Sequence, residues 1–323
     1  MVGATAANLG IGAVSITPAE VIAVLSRRLG FSLGADPTFQ ADAVLWGIRL
    51  PRIILALVAG AGLGLAGAGL QGTFRNPLAD PQLLGIGSGA SLGAIVSMLA
   101  LGASTEAAVA GGAVGGVATA ALLRRFGEPR SPDPSRLVLS GVALGAALSA
   151  WVGFLVFAAD RSAVPPVEFW LLGSLTGATW RVVANALVLT AVGSLALFGS
   201  ARSLDLMSLG EAEARHLGVD VDLVRSIVVF SSGLIVGAAV GAVGVVGFVG
   251  LLVPHVVRLG VGPGHRILLA GSALGGAAFV ASADLAARTL ASPIEIPVGL
   301  LTAAVGGPFF LALLRRNLRR QPA

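Results

Sequence analysis

The sequence predicts an all-α membrane protein, a polytopic bundle of transmembrane helices. Of its 323 residues, 55% are hydrophobic and only 11% are charged, and the mean hydropathy is +0.91. A soluble domain carries about 25% charged residues, so this composition excludes an ordinary soluble protein. Apolar runs recur from about residue 53 to residue 314, which is too much for a signal peptide or a single membrane anchor.

Charge-free intervals locate the crossings, because a charged side chain at the bilayer centre costs about 2.5–3.5 kcal/mol on insertion scales. The interval 226–257 is long for one crossing, and Gly241, Gly244 and Gly247 offer a place for a turn. We therefore predict that it crosses twice. The other predicted crossings, which bring the total to nine, are 53–74, 81–105, 107–123, 137–159, 182–201, 267–283 and 296–314.

The positive charge predicts the orientation of the chain. All 21 basic residues are arginines, and cytoplasmic loops of membrane proteins are enriched in Arg and Lys. With two crossings in 226–257, most arginines fall on one side, which is then cytoplasmic and contains the C-terminus. Topology explains this charge better than nucleic-acid binding does. The cytoplasmic arginines would be Arg75, Arg124, Arg125, Arg130, Arg136, Arg202, Arg215, Arg225, Arg258, Arg266, Arg315, Arg316, Arg319 and Arg320.

Three polar or short segments are not predicted to cross. Residues 17–31 are expected to form a short outer helix with Thr17 as its N-cap. Residues 160–181 are typical of an interfacial element. Residues 203–223 form a polar cytoplasmic insert with one or two short helices. The whole chain, residues 1–323, is thus expected to be a single transmembrane domain.

Glycine is abundant, with 46 residues in the chain. In the run 57–72, "LVAGAGLGLAGAGLQG", small residues recur at the four-residue spacing that lets membrane helices approach closely. This run therefore predicts a helix-packing surface.

The chain lacks the residues that several kinds of chemistry require. It has no cysteine, which excludes disulfides, thiol catalysis and thiolate metal sites. His216, His255 and His265 are too scattered to predict a metal site, and no catalytic constellation is visible. A phosphate-binding Walker A loop needs a lysine, and the chain has none. If ATP drives this protein, another subunit must hydrolyse it.

Several polar motifs allow two interpretations. The loop 71–89 is a turn between packed helices or a functional loop. The two arginines of "RLPR" (49–52) extend to the membrane interface, or they form a docking surface for acidic groups. Asp284 and Arg288, four residues apart, form a local ion pair or contact a partner. "GEAEARHLG" (210–218) is a solvated helix, or a helix that fits a partner's groove.

Taken together and in order, these motifs resemble the FecCD-type family, the permease subunits of ABC importers for iron chelates, heme and cobalamin. The resemblance covers nearly the whole chain and implies a type II ABC importer permease fold with ten spans. A family member carries a complete first span, but this sequence starts about 16 residues before "TPAEV", so the first span is expected to be shortened. The matching segments are 49–52, 70–94, 135–145, 169–175, 208–219, 247–266, 283–289 and 293–316.

By matching position, the resemblance implies three sets of functional residues. One set would dock acidic residues of a binding protein on the outer face. A second would form a gate on the cytoplasmic side, and a third would couple the permease to its ATPase through a helix at about 208–219. The sets are Arg49, Arg52 and Arg288 for docking; Asn76, Leu78 and Ser135 for the gate; and Ser208, Leu209, Gly210, Glu211, Ala214, Leu217 and Gly218 for coupling.

The resemblance also implies the partners. Family members work as homodimers with two ATPase subunits and a periplasmic or lipid-anchored binding protein. This chain would then lie in the bacterial inner membrane and bind no cofactor or metal itself, while ATP and Mg would be used by the partner ATPase.

The expected substrate is an iron chelate. Heme comes first, because "FWLLGSL" (169–175) resembles heme permeases; a ferric siderophore and cobalamin stay open. The competing class is a secondary carrier, which would need carboxylates within the membrane to couple ions. Asp284 and Glu295 are the only candidates, and both are predicted to lie near the outer surface.

Overall fold

The computed structural model describes residues 8, 16–28, 30–31, 37–101, 104–126, 134–159 and 164–318. Every regular element in these ranges is helical, which confirms the all-α prediction. The helices are α1 (Pro18–Arg28), α2 (Phe39–Val44), α3 (Leu50–Thr73), α4 (Ile86–Leu101), α5 (Thr105–Phe126), α6 (Pro134–Ala158), α7 (Val164–Leu171), α8 (Trp180–Gly199), α9 (Ala201–Ser208), α10 (Glu211–His216), α11 (Val221–Val243), α12 (Val249–Val261), α13 (His265–Thr289) and α14 (Val298–Leu318), and a π-helical turn at Leu45–Arg49 joins α2 to α3.

Six helical segments in the described ranges are long and apolar enough to cross a membrane. They are the continuous run Phe39–Thr73, helices α5, α8, α11 and α13, and Leu139–Ala158 of α6. Three shorter apolar helices are α4, α12 and Val298–Ala312 of α14. Each of these segments overlaps a predicted crossing. The expected shortened first span falls on residues before Ile16, and of these the structure describes Asn8 alone.

Helix α1 begins with a reciprocal cap. The backbone N–H of Glu20 donates to Thr17 Oγ1 (3.3 Å), and the backbone N–H of Thr17 donates to Glu20 Oε2 (2.9 Å). Such a pair satisfies N–H groups that a helix start leaves without partners. The predicted short helix with Thr17 as its N-cap is therefore confirmed.

Helices α3 and α13 pack with their backbones almost in contact. A Cβ atom added to Gly60 would collide with the carbonyl oxygen of Gly276, and one added to Gly64 would collide with that of Ser272. Helices α5 and α11 meet through glycines in the same way. Because lipid is as apolar as leucine, membrane helices associate largely through such close packing. This confirms the run 57–72 as a packing surface.

The interval 226–257 is divided between two helices, as predicted. Gly244, with φ of 71°, ends α11, and residues 244–248 run without helical structure to α12. Gly241, in contrast to our expectation, is still part of α11. Helix α12 has 13 residues, and at 1.5 Å per residue it spans about 20 Å, less than the hydrocarbon core.

The bundle has two charged ends. The Arg52 end contains the start of α3, the end of α13 and the segment that precedes α14. The Arg225 end contains the start of α11 and the short helices α9 and α10. The predicted insert at 203–223 therefore holds two short helices.

Candidate functional site

The loop between α3 and α4, residues 74–85, contains two tight turns. Asn76 Oδ1 accepts a hydrogen bond from the backbone N–H of Leu78 (2.9 Å), and Asp80 Oδ1 accepts one from that of Gln82 (2.8 Å). Asn and Asp favour such turns because their side chains reach the backbone two residues on. Asn76 is half-buried, whereas Leu78 is exposed. The 74–85 loop is thus shaped by its own side chains.

Gln71, in the last turn of α3, attaches this helix to α12. Pro254 lies inside α12, and because proline has no backbone N–H, the carbonyl of Gly250 loses its helical donor. The side-chain amide of Gln71 donates to this carbonyl (3.2 Å) and to that of Leu251 (3.4 Å). Arg258 in turn donates to Gln71 Oε1 (3.4 Å). Gln71 therefore replaces the hydrogen bond that the proline removes.

Asp80 is a buried carboxylic acid in the 74–85 loop. Its burial raises the pKa of Asp80 to about 6, although the backbone N–H groups of Gln82 and Leu83 oppose this shift by favouring the charged form. The loop thus contains an acid whose charge changes just below neutral pH.

Helix α10 is bounded by glycines and flanked by exposed leucines. Gly210 (φ 138°) and Gly218 (φ 84°) adopt backbone angles that other residues disfavour. Leu209 is 66% exposed and Leu217 is 60% exposed, whereas Ala214 between them is fully buried. Two exposed leucines thus lie at the two ends of a polar helix, and exposed apolar side chains with polar neighbours can mark a surface that contacts another protein.

Ion pairs attach α10 to the start of α11. Arg225 lies 2.5 Å from Glu211, and Arg215 lies 3.2 Å from Asp222. The Arg225 guanidinium is mostly buried, whereas the second pair is exposed and contributes little to stability. The insert is therefore anchored to α11 chiefly through Arg225.

At the opposite end, Arg52 lies between two carboxylates. Its Nε and Nη2 atoms are each 2.9 Å from Asp284 Oδ1, and its Nη1 atom is 3.0 Å from both carboxylate oxygens of Glu295. Arg288 Nε lies 3.4 Å from Asp284 Oδ2, and Arg288 also donates to Asn8 Oδ1. Arg52, Asp284, Arg288 and Glu295 are named the outer cluster after the side of the membrane on which they are expected. The cluster joins α3 to α13 and to the segment before α14.

The outer cluster brings together two of the three arginines expected to dock a binding protein. Arg49, the third, is 4% exposed, and Arg52 is 7% exposed.

Of the two interpretations of Asp284 and Arg288, the local ion pair is confirmed.

The residues expected to form the gate are described in part. Asn76 and Leu78 lie in the 74–85 loop, between the end of α3 and the start of α4. Ser135 lies in the first turn of α6, and its side chain is outside the described residues.

The carboxylates at the Arg52 end face arginines instead of an open cation site. Asp284 is buried and contacts Arg52 and Arg288, and Glu295 contacts Arg52. In the part of the chain that the structure describes, no group of three or more His, Asp or Glu side chains is placed to hold a metal ion.

Sequence reasoning missed the pairing of Gln71, and it missed the hydrogen bonds from the backbone N–H and ring of His265 to Asp205. Pro254 carried a signal for the first, because a proline inside a helix leaves a carbonyl four residues earlier without a donor. The sequence does not say which polar side chain supplies that donor. No signal of this kind pointed to Asp205, since its partner lies 60 residues away.

Comparison with known proteins supports the family that the sequence motifs resemble, along nearly the whole chain. Residues 1–316 match the FecCD transport family. The chain is 43% identical to the cobalamin import system permease protein BtuC of Halobacterium salinarum over 280 residues, which is 85% of this chain and 74% of that protein. It is 43% identical to the hemin transport system permease protein HmuU of Yersinia pestis over 282 residues, 84% and 82% of the two chains. It is 40% identical to the Fe(3+)-citrate import system permease protein YfmE of Bacillus subtilis over 321 residues, 97% and 92% of the two chains.

A solved structure confirms the fold. A metal-chelate type ABC transporter in an inward-facing conformation superposes with a TM-score of 0.83 and 34% identity, covering 98% of this chain and 96% of that one. Sequence, fold and the order of the motifs agree. The chain therefore belongs to the FecCD transport family and is a multi-pass permease subunit of an ABC importer for an iron chelate, heme or cobalamin.

Proposed function

We propose that this importer carries an iron chelate, with heme as the first candidate, from a binding protein to the cytoplasm. The family match over residues 1–316 carries this proposal, together with 43% identity to a hemin permease. The cobalamin permease is equally similar, and the ferric-citrate permease is 40% identical. Overall identity therefore does not rank the substrates, and the preference for heme depends on the segment 169–175.

In this proposal, α10 and the residues around it dock into the partner ATPase. The observation in favour is the apolar surface formed by Leu209 and Leu217 beside a helix whose other face is attached to α11. The chain has no lysine with which to build a Walker A loop, so the partner would bind and hydrolyse ATP with Mg. Of the residues expected to couple the permease to the ATPase, Ser208, Leu209, Leu217 and Gly218 are exposed and would touch it, together with half-buried Glu211. Gly210 and Ala214 are buried and would support this surface from beneath.

We further propose that the 74–85 loop closes the path on the cytoplasmic side, with Asn76 and Leu78 at the constriction and Ser135 beside them. Two features support a gate that moves as a unit. The loop holds its shape through its own side chains. It also begins three residues after Gln71, which joins α3 to α12.

At the Arg52 end, Arg49, Arg52 and Arg288 are proposed to attract acidic residues of the binding protein. Arg52 and Arg288 contact the carboxylates of Asp284 and Glu295, and Arg49 is close enough to Arg288 for their charges to interact. Complementary charge steers association and fixes the register of a complex. In this arrangement two copies of the chain assemble with two ATPases in the bacterial inner membrane, and the C-termini are cytoplasmic.

Reconstitution tests the proposal. The chain is purified with the ATPase and binding protein encoded by neighbouring genes, and placed in lipid vesicles. Uptake of hemin, a ferric siderophore and cobalamin is then measured with and without ATP. We expect ATP-dependent uptake that favours hemin, and none with an ATPase whose Walker A lysine is replaced. Uptake by this chain alone, driven by an ion gradient, would contradict the importer.

A further inference from the structure

One histidine, part of neither the proposed gate nor the coupling helix, contacts α9, which precedes the coupling helix, and α3, which precedes the 74–85 loop. His265 is the first residue of α13 and is buried. Asp205, on α9 of the insert, accepts two hydrogen bonds from it through Oδ1: one from the backbone N–H and one at ring Nδ1, each 2.8 Å long. The α9 helix and the start of α13 are therefore joined at two points by a single carboxylate oxygen.

The backbone contact explains why this carboxylate is needed. The first N–H groups of a helix have no partner within the helix, and a side chain at the N-cap commonly accepts one of them. In α13 the N-cap is Gly264, which makes no such hydrogen bond. Asp205 performs this role from a neighbouring helix. A shift of α9 relative to α13 would therefore break the cap as well as the contact with the ring.

The other edge of the imidazole ring packs against α3. A Cβ atom added to Gly72 would collide with Nε2 of His265, so the ring fills the space that the missing side chain leaves. In the described part of the chain, Nε2 itself has no hydrogen-bond partner. The carbonyl of Gly72 accepts a hydrogen bond from the backbone N–H of Arg75, the second residue of the 74–85 loop (3.3 Å). The ring therefore packs against Gly72, the residue whose carbonyl begins the turn into the loop.

We propose that Asp205 and His265 form the link that transmits a movement of the insert to the 74–85 loop, with His265 as a positioning residue for the gate. This inference rests on the proposed roles of the insert and the loop. The two hydrogen bonds fix the ring to α9, and the van der Waals contact leaves no space between the ring and Gly72. Displacement of α9 therefore displaces the end of α3. The second anchor of the insert, from Glu211 to Arg225, leads to α11 and not to this turn.

The test compares uptake with ATP hydrolysis in the full importer. Vesicles containing the permease, its ATPase and its binding protein receive hemin, and both rates are measured for each variant. Asp205→Ala removes both hydrogen bonds, and we expect hemin uptake per ATP hydrolysed to fall by about 5-fold or more, within the usual range of coupling between sites. Asp205→Asn keeps an acceptor oxygen and should restore the ratio. Asp42→Ala, which removes an exposed ion pair with Arg28 at the other end of the bundle, is the matched control.

A second variant removes the ring alone. His265→Ala keeps the backbone N–H that Asp205 caps, so the protein should fold and retain its ATPase, while the contact with Gly72 is lost. We expect the same fall in the ratio. An unchanged ratio in this variant and in Asp205→Ala would overturn the link, and so would loss of the bound ATPase in both, which would indicate a purely structural role. If the unaltered importer shows no ATP-dependent uptake of any of the three chelates, the proposed function itself fails.

Discussion

The side chain of Arg52, on α3, lies 2.9 Å from that of Asp284, on α13, although 232 residues separate them in the sequence. Asp284 is almost fully buried, and Arg52 is its main partner. An unpaired charge in such a place is strongly unfavourable, so each side chain requires the other. The pair therefore fixes how α3 and α13 meet at the Arg52 end, where Glu295 adds a second, half-exposed carboxylate.

Replacing Asp284 should destabilise the protein far more than replacing Glu295. Asp284→Ala leaves a buried arginine without its closest partner, and breaking a buried pair costs about 3–5 kcal/mol. Glu295→Ala removes a carboxylate that is 37% exposed, and pairs in contact with solvent contribute about 1 kcal/mol or less. Thermal unfolding of both variants in detergent measures the difference. Equal losses would show that the outer cluster is not held together by the buried pair.

The hydrogen bond from Gln71 to the carbonyl of Gly250 gives a second prediction. Gln71→Leu should cost about 1–3 kcal/mol, because it leaves a buried carbonyl without a donor. Pro254→Ala restores the N–H that a helix normally supplies to this carbonyl. We therefore expect Gln71→Leu to cost clearly less when Pro254→Ala is also present.

A double-mutant cycle in thermal unfolding measures this dependence. The cost of Gln71→Leu is measured once in the parent protein and once in the Pro254→Ala variant. Equal costs in the two backgrounds would mean that Gln71 stabilises the protein through other contacts, such as the one with Arg258.

Much of this architecture was predictable because the membrane imposes it. Charge-free stretches must become helices, since an unpaired backbone N–H or C=O has no partner in lipid. The position of the break at Gly244 followed from glycine spacing and from the need to place Arg225 and Arg258 on one side. Gly241 was assigned wrongly to that break, because its role is to let α11 approach α5, and close packing and turns use glycine alike.

The pairing of polar side chains was less predictable. Asp284 and Arg288 stand four residues apart on one helix, and this spacing alone indicated their contact. Arg52 and Asp284, or Asp205 and His265, meet only because whole helices pack in one particular order. Charge and spacing show that such groups need partners. The partners themselves are set by the tertiary fold.

The buried acid of the 74–85 loop predicts a pH dependence of stability. The pKa of Asp80 is raised to about 6 in the folded protein, against an ordinary value of 3.8. The folded state therefore binds the proton more tightly than the unfolded state does, and this contribution to stability is fully present below about pH 4 and is lost as the pH rises to about 6.

Asp80→Asn should remove this pH dependence. The amide is neutral and can still accept the hydrogen bond from Gln82. We expect the variant to be more stable than the parent at pH 7, by at most about 3 kcal/mol for a shift of this size, and equally stable at pH 4. Thermal unfolding of both proteins between pH 4 and pH 7 tests this. Parallel curves for the two proteins would show that Asp80 is already charged at pH 4.

The last prediction concerns the apolar surface beside α10. Leu209 and Leu217 are exposed in the isolated chain, so Leu209→Ala and Leu217→Ala should change its stability by only about 0.5 kcal/mol. If both leucines are buried against the ATPase, each loses about 1.5–3 kcal/mol of binding free energy on replacement. We expect the affinity for the ATPase to fall by about tenfold or more for each variant. Leu290→Ala alters an equally exposed leucine at the Arg52 end and serves as the control. Unchanged affinity in both α10 variants would mean that the ATPase binds elsewhere, whereas a loss shared with Leu290→Ala would indicate a general effect of removing exposed leucines.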